Sequence, residues 1–486
     1  MNQKKISLFS GLAFIAILAG IFGISSCKKS TTGGGGTVIS VPLYKVGTSL
    51  KPGNISGTIK GTFLADSVYN VTGDLIINKG DTVLAQQGAK IYFTGNYNLW
   101  VHGNLISLGT KSDPVYFTYK GLTKTDVVGK DYTQDSAYRG KWGGIQCDTT
   151  TKFLIIKWTH IEYGGGKIAT SQVFGVKNAA TAWLISFANQ NGMFILEDSW
   201  LYGGVDDPIR IQGGKIHIFR NTSEKGGYTG GEGIANIKSG TQGNVAYNMI
   251  MGPATNGVKP SNNGGRTQTN IIAYNNTIVN GGFRRFLNGG AGNSLGRGGS
   301  INYEEGAEGQ IYNNLMVDCK FGLRIVGTGN YLGNALVVAD TAHLKYGNNY
   351  NYGDSLALVN QFYPTPFLTK PQSTNIPNPT TFLPANYTLG SIYNAPSLVG
   401  ANDPKFVNYA LPITYTNGVD AKLATIAFVT GYDFHLQSSS PAVGKGTTSF
   451  TPLSVVPIDP KYGATELTPP GVDIGAYQIN GTGNQH

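Results

Sequence analysis

The sequence predicts an all-β chain wound into a three-sided parallel β-helix, a solenoid of a single chain. Three observations carry that prediction. Charged residues are only 13% of the 486 residues while Gly reaches 69, against usual shares of roughly 25% and ~7%. With 27 Tyr and 21 Phe, this composition suits many short strands joined by tight turns. Beyond the N-terminal segment, no long stretch has an apolar period of 3.6. Finally, similar strand–turn–strand units recur at a step of about 25 residues, the length of three short strands and three turns.

The first element is an export signal over residues 1–26. Lys4 and Lys5 precede an apolar segment from Ile6 to Ile24, and "ISSC" ends it at Cys27. An aliphatic residue, two small residues and a cysteine resemble a bacterial lipobox, in which the cysteine is lipidated and becomes the new N-terminus. The segment is also long enough to be an uncleaved membrane anchor. Residues 27–68, including the Gly33 to Gly36 run, read as a tether and lead-in. Without residues 1–26, the 37 basic residues lose Lys4 and Lys5, leaving 35 against 27 acidic ones, or +8. An exported basic chain meets acidic polysaccharide or lipid headgroups rather than nucleic acid.

The β-helix is expected over residues 69–359. Its first rungs come from alternating segments such as "KIYF" (Lys90 to Phe93) and "LWVHGNL" (Leu99 to Leu105). Residues 120–140 are polar and form a loop, and 141–350 hold the main stack, about eight rungs or roughly 40 Å at ~4.8 Å per rung. The turn asparagines fall at Asn221, Asn248, Asn275 and Asn313, spaced 27, 27 and 38 apart. Asn tolerates the left-handed turn conformation and carries both a donor and an acceptor, so stacked asparagines bond from rung to rung. A leucine-rich repeat has a similar step, but its leucine pattern is missing, and a propeller blade needs ~40–45 residues and hairpin signals. Residues 360–486 close the chain. Between Asn360 and Thr416 Pro accumulates, which marks a wrapping loop because Pro cannot donate to a ladder. Tyr432 to Tyr477 is expected to pack back as a cap on the last rung. Cys147 and Cys319 read as small buried strand residues rather than a disulfide, and no Cys/His cluster has zinc spacing.

The segments Tyr69 to Phe93, Leu99 to Thr118 and Lys141 to Cys147 resemble the opening rungs of right-handed parallel β-helix proteins of the pectate-lyase-like superfold, which occur as exported lipoproteins of Bacteroidetes-type bacteria. Asn402 to Asn408, Asp433 to Gly446 and Asp473 to Gln478 resemble the closing segment of many such proteins. The resemblance implies a right-handed helix and an outer-membrane location. It does not name an activity, because the fold hosts lyases, hydrolases, adhesins and binding modules.

Aligning the strand after each turn places Arg210, Lys259, Arg284 and Arg324 in one column, with Ala235 occupying it between Arg210 and Lys259. Such a column binds spaced carboxylates or sulfates of an acidic polysaccharide, or it is a solvated face whose aliphatic stems cover apolar surface. Enzymatic readings rest on acids. Asp206-Asp207 resembles part of a polygalacturonase site, but the neighbouring rungs lack its further Asp and His. Glu232, Glu304 and Glu305, with Arg284, are candidates for a lyase-like base and Ca2+ cluster. His102, His160, His217, His343 and His435 read as scattered rung or turn residues. Tyr163, Trp200, Tyr202 and Tyr228 stack on sugars or on one another. The leading reading is a monomeric envelope lipoprotein that binds polysaccharide without catalysis and without a cofactor. The alternatives are a polysaccharide lyase or glycoside hydrolase, with Ca2+ if a lyase, and a structural or adhesive surface protein.

Overall fold

A computed structural model describes residues 47–124, 133–228, 230–282, 300–325, 339–359, 399–409 and 432–486, with the short strands Asn330–Tyr331 and Asn334–Ala335. Among these residues there is almost no helix, and most strands lie in one 17-stranded and one 10-stranded sheet whose strands pair in parallel with the next rung. The first face of the solenoid is the 10-stranded sheet, from Gly61–Phe63 to Leu344–Gly347. At ~4.8 Å per step its ten strands span about 43 Å.

The 17-stranded sheet holds the second and third faces. They merge because Val68–Ile77 runs round a corner: Val68 to Val71 pair with Lys90–Phe93, and Leu75 to Ile77 pair with Asn98–Val101. Each later rung visits the faces in order, as in Gly214–Phe219, Thr222–Glu224 and Ala235–Ile237. This is the three-sided parallel β-helix that the step predicts.

Strand alternation sends one residue in two to the axis. On the first face Leu154, Phe194, Ile216, Gly243, Ile271 and Gly309 lie in register and point to the core. The two glycines are steric necessities. Gly243 has φ 151°, and a Cβ there would lie 2.0 Å from the Ile216 carbonyl oxygen. Cys147 and Cys319 are free and buried in this core.

Between the first and second faces runs an asparagine ladder. The amide nitrogens of Asn221, Asn248, Asn276 and Asn314 each donate to the Oδ1 of the next member, ending on Asn349, and each bond is 2.9 Å. The same nitrogens also donate to the carbonyls of Leu196, Ile218, Val245 and Ala273. The ladder therefore passes through Asn276 and Asn314 rather than Asn275 and Asn313. The latter pair occupies the preceding position, where φ is positive: 56° at Arg220, 56° at Tyr247, 49° at Asn275 and 59° at Asn313. Sharp turning and rung-to-rung bonding are thus divided between two adjacent residues.

Asn275 and Asn313 instead hold the closing segment. Asn313 bonds the Thr447 N–H at 2.8 Å and the Thr447 carbonyl at 2.9 Å, and Asn275 bonds the Gly471 N–H at 3.0 Å and the Asp473 carbonyl at 2.7 Å. Residues 433–436 pair with 406–408, and Phe434 packs with Tyr350 and Tyr352 of the last rung. Beyond them the segment runs down the outer side of the first face, where Leu453, Val456 and Tyr462 cover its apolar residues. The Pro-rich stretch lies outside the described residues except for 399–409, and Cys27 and the export signal lie wholly outside them.

Candidate functional site

The third face presents an outward column. Trp100, Gln146, Ser186, Arg210, Asn236 and Lys259 are successive Cα partners. Val258 bridges Ile301, which places Asn302 next, and Asn302 pairs with Arg324. The column thus contains Arg210, Lys259 and Arg324. Ala235 does not belong to it: it pairs with Ile209 and Val258 in the inward row, fully buried. Asn236 is the outward residue of that rung, because a shift of one position in a strand reverses the side. Arg284 lies outside the described residues, and Asn302 fills the register position between Lys259 and Arg324.

The column is not an open basic stripe, because acids meet its cations. Asp207 Oδ2 accepts from Arg210 Nη2 at 2.6 Å and Nε at 2.8 Å, and the guanidinium lies 4.7 Å over the Trp183 ring. The Trp183 Nε1–H donates to Asp206 at 3.3 Å. Asp207 Oδ1 accepts the Glu232 N–H at 3.0 Å, and Glu232 Oε2 accepts from Thr255 Oγ1 at 2.6 Å and from Asn256 Nδ2 at 2.9 Å. Lys259 Nζ sits 2.8 Å from Glu304 and 3.8 Å from Glu232. Arg324 donates to Asn302 Oδ1 at 2.8 Å and lies 3.9 Å from Glu304. Glu305 turns aside to accept from Ser261 and Asn263.

The electrostatics divide the acids. Burial pushes Glu304 up, but Lys259 and Arg324 outweigh it and hold the carboxyl down at about 2. Asp206 goes the other way: burial, then the charges of Asp207 and Glu232, push it up to about 6 despite Arg210. The sequence brings Asp206 and Asp207 together with Glu232 and Glu304, but into a chain of ion pairs rather than a convergent cation cage.

Among the described residues, Gln146 Oε1, Ser186 Oγ and Asn236 Oδ1 of this column have no hydrogen-bond partner. Gln146 and Ser186 are fully buried and Asn236 is 5% exposed. Leaving such groups unsatisfied costs about 1–3 kcal/mol each, so each calls for a polar partner such as a hydroxyl, an amide or a buried water. Sequence reasoning missed all three, and also Trp183. The signal was present in the alternation of Ile185-Ser186-Phe187 and Ala235-Asn236-Ile237, where one polar residue stands between two apolar ones.

The histidines lie elsewhere. His102 meets Asp148 at 3.2 Å, His160 meets Glu162 at 3.0 Å, His217 meets Glu197 at 2.9 Å, and His435 meets Asp433 at 2.7 Å. His343 joins Glu308 and Asp340, the three ligand atoms lying within 4.8 Å of one another, a set able to coordinate a metal on the first face. The aromatic residues pack on one another: Tyr163 meets Tyr202 edge-to-face at 5.2 Å, and Trp200 stacks between His160 at 4.2 Å and His486 at 4.0 Å. At the near end of that stack, Tyr116 and Tyr92 line a cleft of about 420 Å³ with Lys90, Asp66 and Asp113. No protein-family model, curated relative or solved structure matches this chain.

Proposed function

We propose that the chain is an exported lipoprotein, lipidated at Cys27 and anchored to the outer membrane, whose helix is the right-handed form of the pectate-lyase-like superfold and binds polysaccharide along its third face without catalysis. The observation that carries this reading is the row of unpartnered buried polar atoms on Gln146, Ser186 and Asn236, in register with Arg210 and Lys259. Rungs ~4.8 Å apart repeat at about the length of one pyranose unit, so a glycan laid along Arg210, Asn236 and Lys259, which are not fully buried, meets one polar group per sugar. Because Arg210, Lys259 and Arg324 are each engaged by an acid, the chemistry favours a hydroxyl-rich chain over a densely charged one.

The test is affinity electrophoresis against neutral glucans and mannans beside pectins, alginates and glycosaminoglycans. Asn236→Ala is expected to weaken retention about tenfold, equivalent to ~1.4 kcal/mol, the worth of a hydrogen bond to a polar ligand. Equal retention of wild type and variant would refute the column as the binding surface. Loss on Tyr116→Ala instead would move the site to the second-face cleft.

A second reading, a glycoside hydrolase, is favoured by the carboxyl of Asp206, held near 6 beside a second carboxylate. It requires new reducing ends from the bound polymer, a rate that falls as pH rises through 6, and loss of activity in Asp206→Asn. Binding with no such products supports the first reading.

A further inference from the structure

At the far end of the first face, side chains from two consecutive rungs meet on the outside of the sheet. Glu308 opens the strand Glu308–Tyr312 beside its Cα partner Asn270. Asn270 Nδ2 donates to Glu308 Oε1 at 3.0 Å, which leaves Oε2 to face His343 Nδ1 at 4.0 Å. The next rung enters the face through a turn at 341–343, just before the strand Leu344–Gly347. The Asp340 N–H donates to the Ala307 carbonyl at 3.1 Å, and the His343 N–H donates to the Asp340 carbonyl at 3.1 Å, so backbone bonds hold both residues beside Glu308. His343 Nδ1 lies 2.7 Å from Asp340 Oδ2, and the three ligand atoms are all within 4.8 Å of one another.

What distinguishes this set from an ordinary surface pair of acids is an imidazole nitrogen turned toward both carboxylates. A tetrahedral Zn2+ with bonds of about 2.0–2.2 Å needs its ligand atoms roughly 3.3–3.6 Å apart. The observed 2.7 and 4.0 Å fall on either side of that spacing, so small side-chain rotations bring the set onto one ion. We propose that Glu308, Asp340 and His343 bind a transition-metal ion with the chemistry of Zn2+, water completing its shell. The imidazole argues against Ca2+ and Mg2+, which take oxygen ligands, and the two carboxylates argue against a soft, thiolate-seeking ion. Even a protonated His343 leaves two carboxylates against one positive charge, or −1. Burial and then the Asp340 charge push the Glu308 carboxyl up, as expected of an acidic site without its cation. His343 is 69% exposed, which gives the ion a path from solvent. Bound there, the ion ties the last strand of the 10-stranded sheet to the rung before it, and it depends on no part of the glycan reading.

The test uses the full chain, stripped with EDTA, desalted and titrated with zinc chloride by calorimetry. One site is expected in the wild type. His343→Ala and Glu308→Gln should each weaken it by roughly tenfold or more, at least what losing a group that supports a metal ligand costs. His343 is exposed, so its variant should melt with the metal-free wild type, which separates lost binding from lost folding. His435→Ala is the control: His435 Nδ1 also meets an aspartate, Asp433, at 2.7 Å but is not part of a three-ligand set among the described residues, so zinc affinity should be unchanged. A wild type that takes up no zinc would mean that His343 serves only as a counter-ion and would overturn the proposal. Unchanged affinity in His343→Ala, loss in His435→Ala, or displacement of zinc by an equal concentration of calcium chloride would overturn it as well.

Discussion

At the scale of single residues, Asp206 shows how one position carries both cost and chemistry. Its ordinary carboxyl titrates near 4, and the folded chain holds it at about 6. The folded state therefore binds the proton more tightly than the unfolded one, and stability falls as pH rises from about 4 to about 6. Above that range the ionised carboxylate is a standing cost beside Asp207. Asp206→Asn keeps an oxygen for the Trp183 N–H, so it should melt higher than wild type at pH 7.5, with the gain disappearing towards pH 4. A lower Tm at pH 7.5 would show that Arg210 fully offsets the charge. Side-chain identity in this column was legible in the sequence for Arg210, Lys259 and Arg324. It was not legible for Ala235, because short strands have a period of two and counting back from a distant turn leaves a one-residue error, enough to exchange the faces.

At the scale of elements, the corner between the first and second faces is a two-residue device. The first residue takes the left-handed turn, and the second bonds along the stack. Where the sequence reads Asn-Asn, as at Asn275-Asn276 and Asn313-Asn314, the two jobs look identical, so the ladder is easily assigned to the wrong member. Where a different residue precedes, as at Tyr247-Asn248, the assignment is legible. The two positions should respond differently to mutation. Asn276→Ala removes bonds to Asn248, Asn314 and the Val245 carbonyl in a fully buried setting, and should cost roughly 3 kcal/mol or more, seen as a fall of several degrees in Tm. Asn313→Gly keeps the turn conformation and gives up only bonds to Asn275 and the closing segment, so it should cost much less. Equal losses would contradict the division of labour.

At the scale of the whole molecule, the stack is laced along its flank by its own closing segment. Glu197, fully buried, accepts from the Thr465 N–H at 2.9 Å and faces Lys157 and His217, and Arg220 reaches Thr468 at 3.1 Å. The segment returns to the second face at His486, whose ring stacks on Trp200 and bonds Thr222 at 2.7 Å. Burial lowers His486 from its ordinary 6.5 to about 3. The unfolded chain then takes up the proton first as pH falls, so the stability supplied by this contact is complete above about 6.5 and is lost towards 3. The Tm advantage of wild type over His486→Ala should accordingly shrink between pH 7 and pH 4, and a constant difference would argue against it. Composition and the repeat step made the solenoid legible. The path of this segment was not, since it depends on which turn asparagines keep free donors and acceptors after the ladder has formed.

The proposed binding face requires that the rungs stand in the register that aligns Arg210 with Asn236. Cysteine pairs test this directly, because partners on neighbouring strands of one face have Cα atoms within disulfide reach. Under mild oxidation Arg210→Cys with Asn236→Cys should cross-link, while Arg210→Cys with Ala235→Cys, which places one thiol outside and one in the core, should not. Cross-linking of the second pair in preference to the first would shift the third face by one residue and dismantle the column.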